Sequence, residues 1–133
     1  MSAVFADTSG LLALLHAKDA YHGRAARAFA TLKAREAALI STSFVLVETY
    51  ALIGRRLGLD AVRTFRDDLA PLLEIVWVDH ELHETALDLL LERRSRDLSL
   101  VDAVSFLVMR ARRLTEAFAF DPHFEAEGYS LVG

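Results

Sequence analysis

The chain has 133 residues, 53% hydrophobic and 26% charged, with a formal net charge of −4 and no cysteine. That length lets a chain bury roughly two-thirds of its unfolded surface, so a single domain spanning residues 1–133 is expected. The composition excludes disorder and low complexity, and the lack of cysteine excludes a disulfide framework, a thiolate zinc site and a cysteine nucleophile.

The acidic balance argues against a simple basic nucleic-acid binder, though not against one working through bound cations, which reverse the local sign. No basic stretch followed by an apolar run opens the chain, and no uncharged apolar run reaches about 18 residues. A cytoplasmic protein without a membrane segment is therefore expected. Thirteen of the fifteen basic residues are Arg, and Asn and Gln are absent. Heat adaptation and a GC-rich genome both give that bias.

In chain order, Ala3 to Ala6 reads as a short buried strand. Asp7, Thr8 and Ser9 each offer a cap for a helix carrying Leu11, Leu12, Leu14 and Leu15. A second helix is expected from about Tyr21 to Arg35, then a strand from Ala38 to Ser41. Thr42 and Ser43 offer caps for a helix through Leu57, with Arg55 and Arg56 complementing the dipole of its last turn and Gly58 ending it. Asp60 is expected to cap a helix to about Leu69, closed by Pro71. Glu74 to Val78 is the strongest strand signal, and Trp77 within it is expected in the core. Asp79 caps the next helix. Ser99-Leu100-Val101-Asp102 resembles a capping box with Asp in place of Glu and opens another. Ala117 to Phe120 reads as a fourth strand, followed by a helical turn and a last strand, Tyr129 to Val132. Strands alternating with helices predict an α/β fold: three layers, α/β/α, around a mostly parallel central sheet.

Such sheets bind ligands outside the carboxyl ends of their strands. Asp7 follows the first strand and Asp121 the fourth. Asp102 sits in the first turn of a helix entering the same side. Glu48 lies about two turns into the helix after the second strand, among Phe44, Val45, Val47, Ala51 and Leu52. That helix reads as buried almost all round, where a carboxylate is costly unless paired or metal-bound. Taken singly, Asp7 and Asp102 read equally well as helix caps and Asp121 as a turn former. Taken together, four converging carboxylates need cations between them, and hard oxygen donors suit Mg²⁺ or Mn²⁺.

The motifs around these acids are specific. Val4-Phe5-Ala6-Asp7-Thr8-Ser9 resembles the opening of a PIN domain. "SFVLVETYA", Ser43 to Ala51, is similar to that family's second block, with its acid at Glu48. "LSLVDA", Leu98 to Ala103, resembles the third, with Asp102, and "FAFDPHF", Phe118 to Phe124, the fourth, with Asp121. Order, spacing and length match over essentially the whole chain, and the subgroup resembled is the VapC-type toxins of toxin–antitoxin pairs. One departure is Ala119, where the family often carries Thr or Ser. The resemblance implies an Mg²⁺- or Mn²⁺-dependent endoribonuclease leaving a 5′-phosphate and a 3′-hydroxyl, with an RNA substrate and a cognate antitoxin as partners. Asp7 and Asp102 are then the expected metal ligands. Asp121 would hold a second ion or a water on the metal, and Glu48 would position a water or act as a base. A surplus of aliphatic residues around the Ser43–Leu57 helix, with the resemblance, predicts a symmetric homodimer.

Other readings are weaker. His80-Glu81-Leu82-His83 lacks one residue of the zincin spacing. His16 and His22 flank a polar turn and are expected exposed; His123, beside Asp121, could touch substrate, but a surface position is preferred. Arg93, Arg94 and Arg96 read equally as a solvated face or a phosphate grip, and Arg110, Arg112 and Arg113 as a solvated helix end. A phosphorylated receiver would need a late lysine, but the only lysines are Lys18 and Lys33. A dehalogenase-type phosphatase would need Asp-x-Asp where the chain has Asp7-Thr8-Ser9. The remaining alternative is a PIN-like module that binds RNA or a protein without cutting.

Overall fold

The computed structural model describes residues 2–132; Met1 and Gly133, the ends of the expected domain, lie outside the described residues. In chain order the elements begin with β1 (Ala3–Ala6), α1 (Thr8–Leu15), α2 (His22–Ala34), β2 (Ala38–Thr42) and α3 (Ser43–Leu57). There follow α4 (Leu59–Thr64), β3 (Leu73–Val76), α5 (His80–Arg93) and α6 (Leu100–Arg112). Last come β4 (Glu116–Phe118), α7 (Pro122–Ala126) and β5 (Ser130–Leu131).

The five strands form one sheet in the order β3-β2-β1-β4-β5, and every pairing is parallel. The chain moves outward from β1 to β2 and β3, then returns to place β4 on the other side of β1. That reversal puts a crevice at the carboxyl ends of β1 and β4, where a parallel sheet offers a ligand site.

Strand alternation sorts the helices into two layers. Ala6 pairs with Phe118, so Phe118 points to the face opposite Phe5. Phe5 stacks on Phe124 of α7, which meets Phe106 of α6 edge-on at 5.2 Å. Phe118 instead meets Phe29 of α2 at 6.4 Å. Helices therefore cover both faces, and the expected three layers are present. Phe5, Phe106, Phe118 and Phe124 are all fully buried, each removing roughly 150–250 Å² from water.

Several local expectations change. Asp60 does not cap α4; Gly58, with φ of +93°, joins α3 to α4 in a backbone region that favours glycine. The helix beyond Thr64 loosens into a π turn, Phe65–Leu69, and then tightens into a 3₁₀ turn, Ala70–Leu72, holding Pro71. Strand β3 is an edge strand that ends at Val76, so Trp77 lies beyond it and is 73% exposed rather than core. Only Val45, Thr49 and Ile53 of α3 are buried, a one-sided stripe at helical spacing, and Val47 is 68% exposed. Glu48 is therefore half-buried, not enclosed. His16 and His22 are also half-buried, and His22 Nδ1 bonds the Ala13 carbonyl at 2.9 Å, tying the start of α2 to α1.

Candidate metal centre

Asp7 is the residue on which β1 ends and α1 begins. Its backbone is extended, and its Oδ2 accepts from the Ser9 N–H at 3.2 Å and the Ser9 hydroxyl at 2.7 Å. The cap reading and the site reading hold together, because a cap carboxylate faces the helix N-terminus outside the strand end. The Ser9 hydroxyl also accepts from the Phe120 N–H at 2.9 Å, and the Asp7 N–H donates to the Phe118 carbonyl at 3.1 Å. Two bonds thus hold the start of α1 against the segment leading to Asp121. Ala119 is fully buried, and Ser9 supplies a hydroxyl to the Asp7 carboxylate.

Gly10 makes that contact possible. A Cβ there would lie 2.4 Å from the Phe118 carbonyl oxygen and 2.8 Å from its carbon. Only a residue without a side chain lets the first turn of α1 approach the β4 backbone so closely.

On the other side, buried hydroxyls join α1 to α3. Thr49 donates to the Val45 carbonyl at 2.7 Å and lies 3.0 Å from the Thr8 hydroxyl. Ser41 donates to the Ala6 carbonyl at 2.7 Å, fixing β2 against the end of β1. Bonds buried this deeply are costly to leave unmade, so they fix where α3 carries Glu48.

Asp102 enters from α6 through the capping box. The Ser99 hydroxyl accepts from the Asp102 N–H at 3.1 Å, and Asp102 Oδ2 accepts from the Ser99 N–H at 3.1 Å. Asp121 caps α7, and its Oδ1 accepts from both the N–H and the ring Nδ1 of His123, at 2.9 and 2.7 Å.

The four acids, from four parts of the chain, line one cavity of about 300 Å³ with Thr8, Ser9, Leu12, Leu52, Arg56 and Ser99. A slightly larger cleft of about 340 Å³, lined by residues of α5 and α6 such as Asp79, Glu81 and Leu107, gathers no comparable set. Ligand atoms of Asp102, Asp121 and His123 lie within 4.8 Å of one another. Asp7 stands outside that tight group and joins it through the shared cavity.

Electrostatics agree with a cation site. Burial pushes the Asp7 carboxyl up to about 6 from an ordinary 3.8; the Ser9 bonds oppose the rise, and the charges of Asp102 and Asp121 add to it. Burial, then the nearby Asp121 charge, also raises Asp102. Desolvation pulls the His123 imidazole down, but its bond to Asp121 and the charges of Asp121, Asp102 and Asp97 carry it above its usual value. Carboxylates that hold protons against their ordinary affinity are relieved by a cation. Oxygen donors dominate, which suits Mg²⁺ or Mn²⁺. His123, turned toward Asp121, orients that carboxylate.

Two residues here have more specific places than the sequence pattern assigns them. His123, expected at the surface, is half-buried against Asp121. Arg56, assigned only to the helix dipole, lines the cavity. The cluster weighed as a phosphate grip, Arg93, Arg94 and Arg96, does not line it, nor do Arg110, Arg112 and Arg113. Arg93 makes two 2.8 Å bonds to Glu127, and Arg112 pairs with Glu74 at 2.7 Å.

Comparisons with known proteins point the same way. The family model described as PIN domain matches residues 4–127. Two curated relatives, 23S rRNA-specific endonuclease VapC20 from Mycobacterium tuberculosis strains CDC 1551 / Oshkosh and ATCC 25618 / H37Rv, are 37% identical over 130 residues, 97% of each chain. The crystal structure of M. tuberculosis VapC20, described as a sarcin–ricin loop cleaving toxin, has a TM-score of 0.83 at 36% identity, covering 95% of both chains. FitAcB from Neisseria gonorrhoeae has a TM-score of 0.68 at 11% identity, covering 98% of this chain and 96% of that one, a likeness of fold alone.

Proposed function

The chain belongs to the PIN-domain family, and on that footing we propose that it is an endoribonuclease, the toxin of a toxin–antitoxin pair, dependent on Mg²⁺ or Mn²⁺. The observation that carries this reading is the single cavity lined by Asp7, Glu48, Asp102 and Asp121. Its substrate is RNA of the kind its VapC20 relatives cut, the sarcin–ricin loop of 23S rRNA. Its partners are a cognate antitoxin and a second copy of itself. It works as one domain over residues 1–133 in the cytoplasm, with the ribosome. Among the described residues no helix is long and apolar enough to cross a membrane.

Asp7, Asp102 and Asp121 would hold the ion or ions, which when bound supply charge stabilisation at the scissile phosphate and a more acidic water. Ser9, Ser99 and His123 hold the three carboxylates in place through the bonds above. Glu48, half-buried and lining the same cavity, accepts the proton of the attacking water or orients it. Leu12 and Leu52 narrow the cavity with apolar surface, which strengthens charge interactions inside it.

The test is cleavage of a 23S rRNA fragment containing the sarcin–ricin loop. A discrete cut with Mg²⁺ or Mn²⁺, stopped by EDTA, is expected. Asp102→Asn should lower the rate by about 10³-fold, about 4 kcal/mol of barrier, with the fold retained because the Ser99 cap is untouched and an amide oxygen still accepts from the Ser99 N–H. Full activity in excess chelator, or an Asp102→Asn protein as active as the original, would overturn the reading.

A further inference from the structure

We propose that Arg56 is a substrate-binding residue of this site, a grip for a backbone phosphate flanking the one that is cut; the inference rests on the ribonuclease reading above. Among the residues lining the four-carboxylate cavity, Arg56 is the one cation. It stands two helical turns beyond Glu48, with Leu52 midway, so the three share one face of α3. Helical side chains lean toward the N-terminus, which carries the guanidinium back over the cavity.

Its freedom is the second observation. Arg35, Arg66, Arg93 and Arg112 each sit within 2.8 Å of a carboxylate. Among the described residues, no ion pair or side-chain hydrogen bond engages Arg56, although four acids share its cavity. Its guanidinium therefore keeps its fork of donors for an oxyanion arriving from solution, and that fork matches phosphate bidentately.

Placement decides which phosphate. Eight residues of helix separate Arg56 from Glu48, about 12 Å along the axis. The scissile phosphate belongs beside the Asp-held ions, so Arg56 reaches a neighbour on the same strand. A contact to a non-reacting phosphate is made equally in ground and transition states, so its loss raises KM and leaves kcat.

The experiment is steady-state cleavage of a sarcin–ricin-loop RNA hairpin with Mn²⁺ at several salt concentrations. The proteins compared are the unsubstituted chain, Arg56→Ala, Arg56→Lys and Arg55→Ala. Arg55 is an exposed neighbour of equal charge that does not line the cavity, so it controls for general electrostatics. Arg56→Ala should raise KM about ten- to a hundredfold with kcat within about threefold, and should flatten the salt dependence of binding by about one unit. Arg56→Lys should recover part of the loss, and Arg55→Ala little of it. Calorimetric Mn²⁺ affinity should be unchanged or tighter in Arg56→Ala, because a cation has left the site. An unchanged KM, a fall in kcat alone, weaker Mn²⁺ binding, or equal effects at Arg55 and Arg56 would each overturn the proposal. Failure of the unsubstituted protein to cut any RNA would instead be failure of the nuclease reading.

Discussion

The carboxyl ends of β1 and β4 and the β3 edge of the same sheet are built on opposite terms. At the first, polar groups are buried and fixed: Asp7, Thr8, Ser41, Thr49 and Asp102 are each no more than 8% exposed, and the hydroxyls and carboxylates bond across four elements. At the second, apolar groups are left in water: Trp77 and Leu72, and on α3 Val47, are more than half exposed. The sheet edge is placed by packing. The crevice is placed by bonds that must be made and by charges that oppose one another, so it gives up stability for geometry. One region gathers charged groups into a cavity, and the other leaves apolar surface in water.

The sharpest way to break the first region is to fill its closest approach. Gly10→Ala must drive the β4 backbone away from α1, because the added Cβ would sit 2.4 Å from the Phe118 oxygen. A loss of about 3 kcal/mol is expected, seen as a fall of about 10 °C in Tm, with cleavage lost as Asp7 and Asp121 move apart. A Tm within about 2 °C of the original would show that the contact relaxes freely.

Acidity probes the same region next. Asp7 ionises near 3.8 in the unfolded chain and at about 6 in the folded one. Between those values the folded state holds a proton that the unfolded state releases. Stability from this group is therefore full below about pH 4, declines as pH rises, and is gone above about pH 6. The cost at neutral pH without metal is up to about 3 kcal/mol. His123, also raised, adds stability that is lost in the same direction. Asp7→Asn should make the metal-free protein more stable than the original at pH 7.5, and the gap should close toward pH 4. Denaturant titrations at both pH values in EDTA measure it. A gap that widens on acidification would reverse the sign of the account.

The other region should respond to polarity in its own way. Val47→Asp leaves the core untouched and should change the chain's intrinsic stability by no more than about 0.5 kcal/mol. If α3 carries the dimer surface, light scattering should find the variant monomeric where the original is dimeric. An original that is monomeric at high micromolar concentration would remove that role.

Much of the crevice was legible in the sequence because its acids obey local rules as well as tertiary ones. Asp7 is a helix cap and Asp102 the reaching acid of a capping box, each also a ligand candidate, and such signals are read from neighbouring residues. The parallel sheet followed from strands alternating with helices. What was missed depends on contacts between distant segments. Nothing near Gly10 announces that Phe118 lies against it. Trp77 sits in an apolar run that reads as central, but strand order, which local pattern does not carry, puts β3 at the edge and leaves Trp77 just past its end. Glu48 seemed enclosed because its neighbours are apolar, yet Val47 and Ala51 face outward. His123 gained its place from Asp121 two residues earlier, a spacing with a bland turn reading. Arg56 looked like dipole chemistry, and only the cavity distinguishes it from Arg55.

The central claim is that Asp7, Asp102 and Asp121 form one cation site and not three separate helix-end contacts. The direct measurement is the Tm shift produced by Mg²⁺ in the original protein and in Asp121→Asn. A bound ion stabilises the folded chain by mass action, because the unfolded chain has no assembled site. Asn preserves the cap and removes the charge, so the variant should melt higher than the original in EDTA and respond far less to Mg²⁺. Equal Mg²⁺ shifts in the two proteins would contradict the account and remove Asp121 from the centre.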